Sequence, residues 1–232
     1  RERDFQTEEI VVDNDGVGYS ESEGIERWSR LEEGFAHKKE SYLSGENPFK
    51  DGSCRVVKTV ADGGKPSVAK WSATFDKSGD YAVYVSYKSL PNSLDGALYT
   101  IHHAGGQSRV HVNQKIGGGT WIYLGTYHFT PGKDKLAVTL TNIANSNNYV
   151  VTADAVKIGG GYGNIARTVC DSLRVEGCDY TPITSGMPRY CEGARYWLQW
   201  AGFDKEVYSK HDDCNDYNDD YKCRGEWVNA LM

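Results

Sequence analysis

The sequence predicts a mainly β fold over about residues 8–158, an antiparallel β-sandwich of jelly-roll type, followed by a short α/β segment over residues 159–232. Three observations predict it. Short runs alternate apolar and polar residues between Gly, Pro, Asn and Asp, which is strand chemistry. No helix-period pattern separates these runs, which argues against a parallel α/β sheet. The character of the chain then changes at Gly159-Gly160-Gly161, after which Cys and Asp become dense and two helical patterns appear.

The candidate strands are Glu9–Val12, Val68–Phe75, Asp80–Tyr87, Ala97–His103, Ser108–Gln114, Thr120–Phe129, Lys135–Leu140 and Val150–Ile158. In the third, Tyr81, Val83, Val85 and Tyr87 share one face and Ala82, Tyr84, Ser86 and Lys88 the other, the period of two that a half-buried antiparallel strand requires. A Gly105-Gly106 turn, where positive φ is tolerated, sets Ile101 opposite Val110 and His102 opposite Arg109, leaving one face apolar and the other polar. In the tail, Ala194, Trp197, Leu198 and Ala201 follow amphipathic helical spacing, with Gly202 where a C-terminal cap belongs. A second helix is expected from Asp219 or Asp220, and a short strand over Glu206–Ser209 between the two.

Net charge is −6, and no basic run with interleaved aromatics occurs, which argues against nucleic acid as a partner. No apolar stretch reaches the roughly 18 residues of a membrane span. The chain opens at Arg1 without a signal peptide and reads as a processed or trimmed fragment. Of six cysteines, five lie beyond residue 165 and none forms a C-x-x-C pair. Disulfides in an oxidising compartment and free buried thiols both remain open.

Among constellations with chemistry, Asp13-Asn14-Asp15-Gly16 places oxygens at alternate positions but lacks the rest of a calcium loop, so an Asx turn is the better reading. His102, His103 and His111 fall on opposite strand faces, a poor metal geometry. The run Asp212, Asp213, Asp216, Asp219 and Asp220 reads as a solvated acidic loop leading into a helix. No Ser-His-Asp order can be defended, because such partners meet only through the fold.

The runs Glu9–Glu21, Gly79–Tyr87, Tyr99–Gly106, Val112–Gln114, Trp121–Thr126 and Ala153–Ile158 together resemble the golvesin/xanthan-lyase carbohydrate-binding-like domain. The resemblance implies an accessory β-sandwich of secreted bacterial enzymes that binds polysaccharide, hence an exported location. Ligand candidates on this reading are Tyr19, Trp28, Trp121 and Tyr123, large aromatics near Gly-rich loops. Trp121 is at least as well explained as a core residue.

The tail resembles secreted amidase-like proteins, often labelled xanthan lyase or N-acetylmuramoyl-L-alanine amidase, in which the golvesin-like domain interrupts the amidase fold. The runs that carry this are Gly163–Arg167, Ser185–Arg189, Glu192–Gly202 and Asn215–Asn229. The resemblance implies a zinc ligand at Glu192 and a catalytic Arg224, with Asn229 on the same helix. It also requires two histidines that this stretch does not supply. A single Glu does not hold Zn²⁺, which takes about three protein ligands, so zinc and catalysis are expected only in an intact parent. The alternative for Glu192 is a carboxylate complementing a helix dipole. Three functions compete: a glycan-binding module acting on polysaccharide or peptidoglycan, part of a zinc amidase-like hydrolase, and a structural or adhesion spacer.

Overall fold

The computed structural model describes residues 8–36, 47–159, 174–177, 193–201, 203–212 and 215–232. The chain divides into two compact units, one of Arg1–His37 with Phe49–Gly160 and one of Lys38–Pro48 with Gly161–Met232.

The first unit is built from β1 (Glu9–Val12), β2 (Tyr19–Ser22), β3 (Ser29–Gly34), β4 (Gly52–Lys58), β5 (Val60–Ala61), β6 (Val68–Phe75) and β7 (Gly79–Val85). It continues through β8 (Ala97–His103), β9 (Gly106–Val112), β10 (Ile122–Phe129), β11 (Gly132–Thr141), β12 (Ile143–Ala144), β13 (Val150–Ala153) and β14 (Val156–Gly159). One main sheet has the order β1-β14-β7-β10 and the other β2-β6-β11-β8-β9. A three-stranded sheet β13-β4-β3 and a two-residue parallel pair β12-β5 complete the described strands. The fold is therefore mainly β and a sandwich.

Alternation makes the core. Tyr81, Val83 and Val85 of β7 are fully buried, as are Ala69 and Trp71 of β6, Tyr99 and Ile101 of β8, and Val138 and Leu140 of β11. The two main sheets meet through aromatic contacts. Phe75 stacks on Phe129 at 4.5 Å and meets Tyr81 edge-on at 5.4 Å. Trp71 stacks on Tyr99 within the second sheet, and its indole donates to the Asp154 carbonyl at 3.0 Å. Such rings supply most of the apolar area that holds a sandwich closed.

Three sequence expectations need correction in this unit. The run Val150–Ile158 is two strands: β13 pairs with β4, while β14 pairs with β1 and β7. The chain changes sheets at Asp154-Ala155, where the Asp154 carboxylate accepts the Phe35 N–H and Ser86 bonds both polar backbone atoms of Ala155. The β8–β9 hairpin turns at Ala104-Gly105, so Tyr99 faces Val110 and Ile101 faces Ser108, an offset of two residues from the expected register. Gly106 alone takes a positive φ, 119°, as in a turn closed by one glycine rather than two. An offset of two preserves the faces: Ile101 is buried, Val110 packs on the core, and Arg109 is exposed. Finally, β2, β3, β4, β5 and β12 lie outside the expected set.

The second unit shows only helices among its described residues: α1 (Ala194–Trp200), α2 (Lys205–Tyr208) and α3 (Asp216–Leu231). The strand expected over Glu206–Ser209 is instead the turn α2, whose Val207 N–H bonds the Asp204 carbonyl at 2.9 Å. The helix expected from Asp219 or Asp220 starts earlier, capped by Asn215, whose side chain accepts the Asn218 N–H at 3.1 Å. Trp197, Phe203 and Trp227 pack together at 5.1–6.5 Å. No described helix is long and apolar enough to cross a membrane.

Candidate functional site

The four aromatic candidates separate sharply. Tyr19 lies against Trp71 at 5.5 Å, and its hydroxyl donates to Glu21 at 2.8 Å. Glu21 in turn holds Arg55 through two contacts of 2.6 and 3.0 Å. Trp28 is buried in the main core. Trp121 is 1% exposed and closes an aromatic cluster with Phe35 at 4.8 Å and Phe49 at 5.3 Å. These three serve packing. Tyr123 is 54% exposed, and of the four only it offers a ring to a ligand.

Tyr123 does not stand alone. Strand pairing sets Val11, Lys157, Tyr84 and Tyr123 in one row across the outer face of the first sheet. The Tyr84 and Tyr123 rings are 5.4 Å apart, and the Tyr123 hydroxyl bonds Thr126 at 2.7 Å. The Lys157 ammonium sits 4.2 Å from the Tyr84 ring centre and 4.8 Å from that of Trp121, a cation held by two π faces. Burial pushes the Lys157 pKa well down, with Glu9 opposing it; burial pushes the Glu9 carboxyl up to about 8, with Lys157 opposing that. The result is a tyrosine pair whose Tyr84 ring packs on the buried Lys157 amino group. Tyr84 lies on the outward face of its expected strand, but its pairing with Tyr123 depends on sheet order, which the sequence does not reveal.

A second concavity opens at one end of the sandwich, a cleft of about 310 Å³ between the β8–β9 hairpin and the β10–β11 connection. His103 stacks on Tyr127 at 5.1 Å beside it. His103 bonds Ser108 through Nε2 and accepts the Gly105 N–H at Nδ1, while His102 contacts Gln107 and Thr139. His111 has a third set of contacts, with Nδ1 3.1 Å from the Gly96 carbonyl. Asp13 accepts the Asp15 N–H at 3.1 Å, the Asx turn expected there. No group of three His, Cys, Asp or Glu among the described residues is arranged to hold a metal.

Ser78, His128 and Asp80 do meet through the fold. Ser78 Oγ is 3.0 Å from His128 Nε2, and His128 Nδ1 is 2.9 Å from Asp80. This is the connectivity of a hydrolase triad. Yet Ser78 Oγ also reaches the Phe129 carbonyl at 3.3 Å, and the imidazole is 46% exposed. The array ties the β6–β7 turn to the end of β10, with no enclosed position for a reacting atom.

In the tail, Glu192 lies outside the described residues. Arg224 donates to Asp220 at 2.6 Å, one turn away on α3, and Asn229 is exposed. His211 is anchored rather than free in a polar loop: its backbone N–H and Nδ1 both contact Asp219, at 2.8 and 2.9 Å. Asp219 is fully buried, which corrects its reading as part of a solvated run. The segment expected to form a strand between the two helices is the short helix α2. Cys54 and Cys223 are free and buried, their thiols pushed by burial up to about 12 and about 11.

Comparison with known proteins agrees with this geometry. Residues 49–160 match the Golvesin C-terminal domain. The golvesin-type resemblance of the sandwich therefore holds. The chain is 39% identical over 82 residues to a xanthan lyase of Bacillus sp. strain GL1, a match spanning 34% of this chain and 9% of that protein. The structure of a Paenibacillus xanthan lyase superposes on 66% of this chain with TM-score 0.50 at 24% identity, and covers 13% of that lyase, so the golvesin-type fold is shared. The C-terminal CBM6 module of LamC, a laminarinase of Zobellia galactanivorans, aligns over 66% of this chain and 99% of its own length, at 12% identity and TM-score 0.39. The sandwich is thus similar to part of a xanthan lyase, in sequence over 82 residues and in fold.

Proposed function

We propose that the sandwich is a non-catalytic glycan-binding module of an exported polysaccharide- or cell-wall-degrading enzyme. The observation that carries this is the Tyr84–Tyr123 pair on the outer face of the first sheet, with Tyr123 half-exposed and its partner strand held by Lys157. A sugar presents flat C–H faces that pack on an aromatic ring while its hydroxyls stay solvated, so an exposed Tyr123 ring backed by Tyr84 suits it. The relation to xanthan lyases supports a polysaccharide as the partner; peptidoglycan is the second class to test.

Retardation in gels cast with soluble xanthan, and co-sedimentation with insoluble peptidoglycan, test this directly. Wild-type protein should be retained on at least one, and Tyr123→Ala should weaken that retention by roughly tenfold. No retention on any glycan tried would make the module a spacer.

A further inference from the structure

The cleft at the end of the sandwich carries a charge without a counter-charge. Lys135 reaches it from β11, and its ammonium is held by Thr130 alone, at 2.8 Å from the carbonyl and 2.6 Å from the hydroxyl. Both partners are neutral. Among the described residues no carboxylate lies within ion-pair distance of Lys135, whereas Lys88, Lys115 and Lys205 each contact one at about 3 Å. The cation is also positioned by the backbone. Gly132 lies in a bulge of β11, and a Cβ there would come within 2.6 Å of Lys135 Cε. The absent side chain lets the lysine stem fold back against Thr130.

The rest of the lining is consistent with a sugar. Phe129 and Leu136 supply apolar walls, Thr130 a hydroxyl, and His102 and His103 ring nitrogens. No Asp or Glu contributes. The volume, about 310 Å³, falls at the lower end of small-molecule sites, which run from about 300 to 1,000 Å³. Burial and the neighbouring His103 lower the His102 pKa, so near neutral pH Lys135 provides the fixed charge and His102 a hydrogen-bonding edge.

We propose that this cleft is a subsite for an acidic sugar, with Lys135 pairing its carboxylate. The inference rests on the glycan-binding reading and adds the charge class of the ligand. The cleft is about 20 Å along β10 from Tyr123, six residues of strand, so it is a separate contact and not part of the tyrosine pair.

The test uses one glucuronate-containing oligosaccharide and its carboxyl-reduced, neutral counterpart, titrated calorimetrically into the full chain. The wild type should bind the acidic form at least about tenfold more tightly, as expected for a hydrogen bond to a charged group. Lys135→Gln should erase that preference and leave affinity for the reduced sugar unchanged. Tyr123→Ala should weaken both sugars alike. Equal wild-type affinity for the two sugars overturns the subsite and leaves glycan binding standing. No binding of either overturns both. A sulfated, carboxyl-free oligosaccharide bound as tightly as the uronate would overturn the carboxylate assignment. The wild-type comparison needs no variant, so the result does not depend on Lys135→Gln folding.

Discussion

Trp121 and Tyr123 are two residues apart, and the structure assigns them opposite roles that one experiment separates. Trp121→Ala removes a ring that is 1% exposed and touches Phe35, Phe49 and the Lys157 ammonium. Truncating a buried tryptophan costs about 3–5 kcal/mol. Tyr123→Ala removes a half-exposed ring whose hydroxyl bonds only Thr126, and should cost about 0.5 kcal/mol. With a urea slope of about 2 kcal/mol/M, the midpoint of sandwich unfolding should fall by roughly 2 M for Trp121→Ala. It should fall by no more than about 0.3 M for Tyr123→Ala. Circular dichroism of the sheet signal is the assay, because it does not depend on the removed indole. Glycan retention should follow the reverse order per unit of stability lost: weakened roughly tenfold in Tyr123→Ala, retained in whatever fraction of Trp121→Ala stays folded. A Trp121→Ala protein as stable as wild type would refute the aromatic cluster as a packing element.

Two further outcomes follow from buried groups. Burial and the nearby Asp13 charge push the Asp154 carboxyl up to about 8, against the hydrogen bonds it accepts from Phe35 and Ser86. The folded form then keeps a proton that the unfolded chain releases near pH 4, so stability should decline as pH rises from about 4 to about 8. Denaturation midpoints across that window should show the decline. Asp154→Asn should remove about half of what Asp154 and Glu9 contribute together, Glu9 being raised to a similar value, while the lowered pKa of the buried Lys157 acts in the opposite direction. Gly18 has φ 97°, and a Cβ there would stand 2.4 Å from the Ser72 carbonyl oxygen. Gly18→Ala should therefore destabilise by about 2 kcal/mol or more, read as a loss in melting temperature.

The sequence revealed most where one periodicity was decisive. Tyr81, Val83, Val85 and Tyr87 are all buried, as their spacing requires. It revealed less where a strand is short or polar on both faces: β3, Ser-Arg-Leu-Glu-Glu-Gly, has no apolar alternation and is held by pairing with β4. The break at Asp154 was hidden because Val150–Ile158 reads as one continuous strand, and the pairing of its two halves with different strands shows where it crosses between sheets. Site residues follow the same logic. A tyrosine beside a glycine loop announces an aromatic, but exposure depends on what packs against it, and Phe35 and Phe49 cover Trp121 from distant segments. The Lys135 cleft was invisible because its walls come from the β8–β9 hairpin and the β10–β11 connection, which alternation alone does not bring together.

One feature of the first unit bears on how such a module is carried. Its first and last strands, β1 and β14, are antiparallel neighbours, with Glu9 opposite Gly159. Entry and exit of the sandwich therefore lie about 5 Å apart, the spacing across any antiparallel pair. A recipient protein that takes the sandwich into one of its loops would feel little more than a tight hairpin at the junction. The closure entropy charged to that recipient is small and independent of the roughly 150 residues in between. Such a geometry makes the module portable: it can be spliced into or out of a larger enzyme with its own core already sealed, and its exposed Tyr123 travels with it.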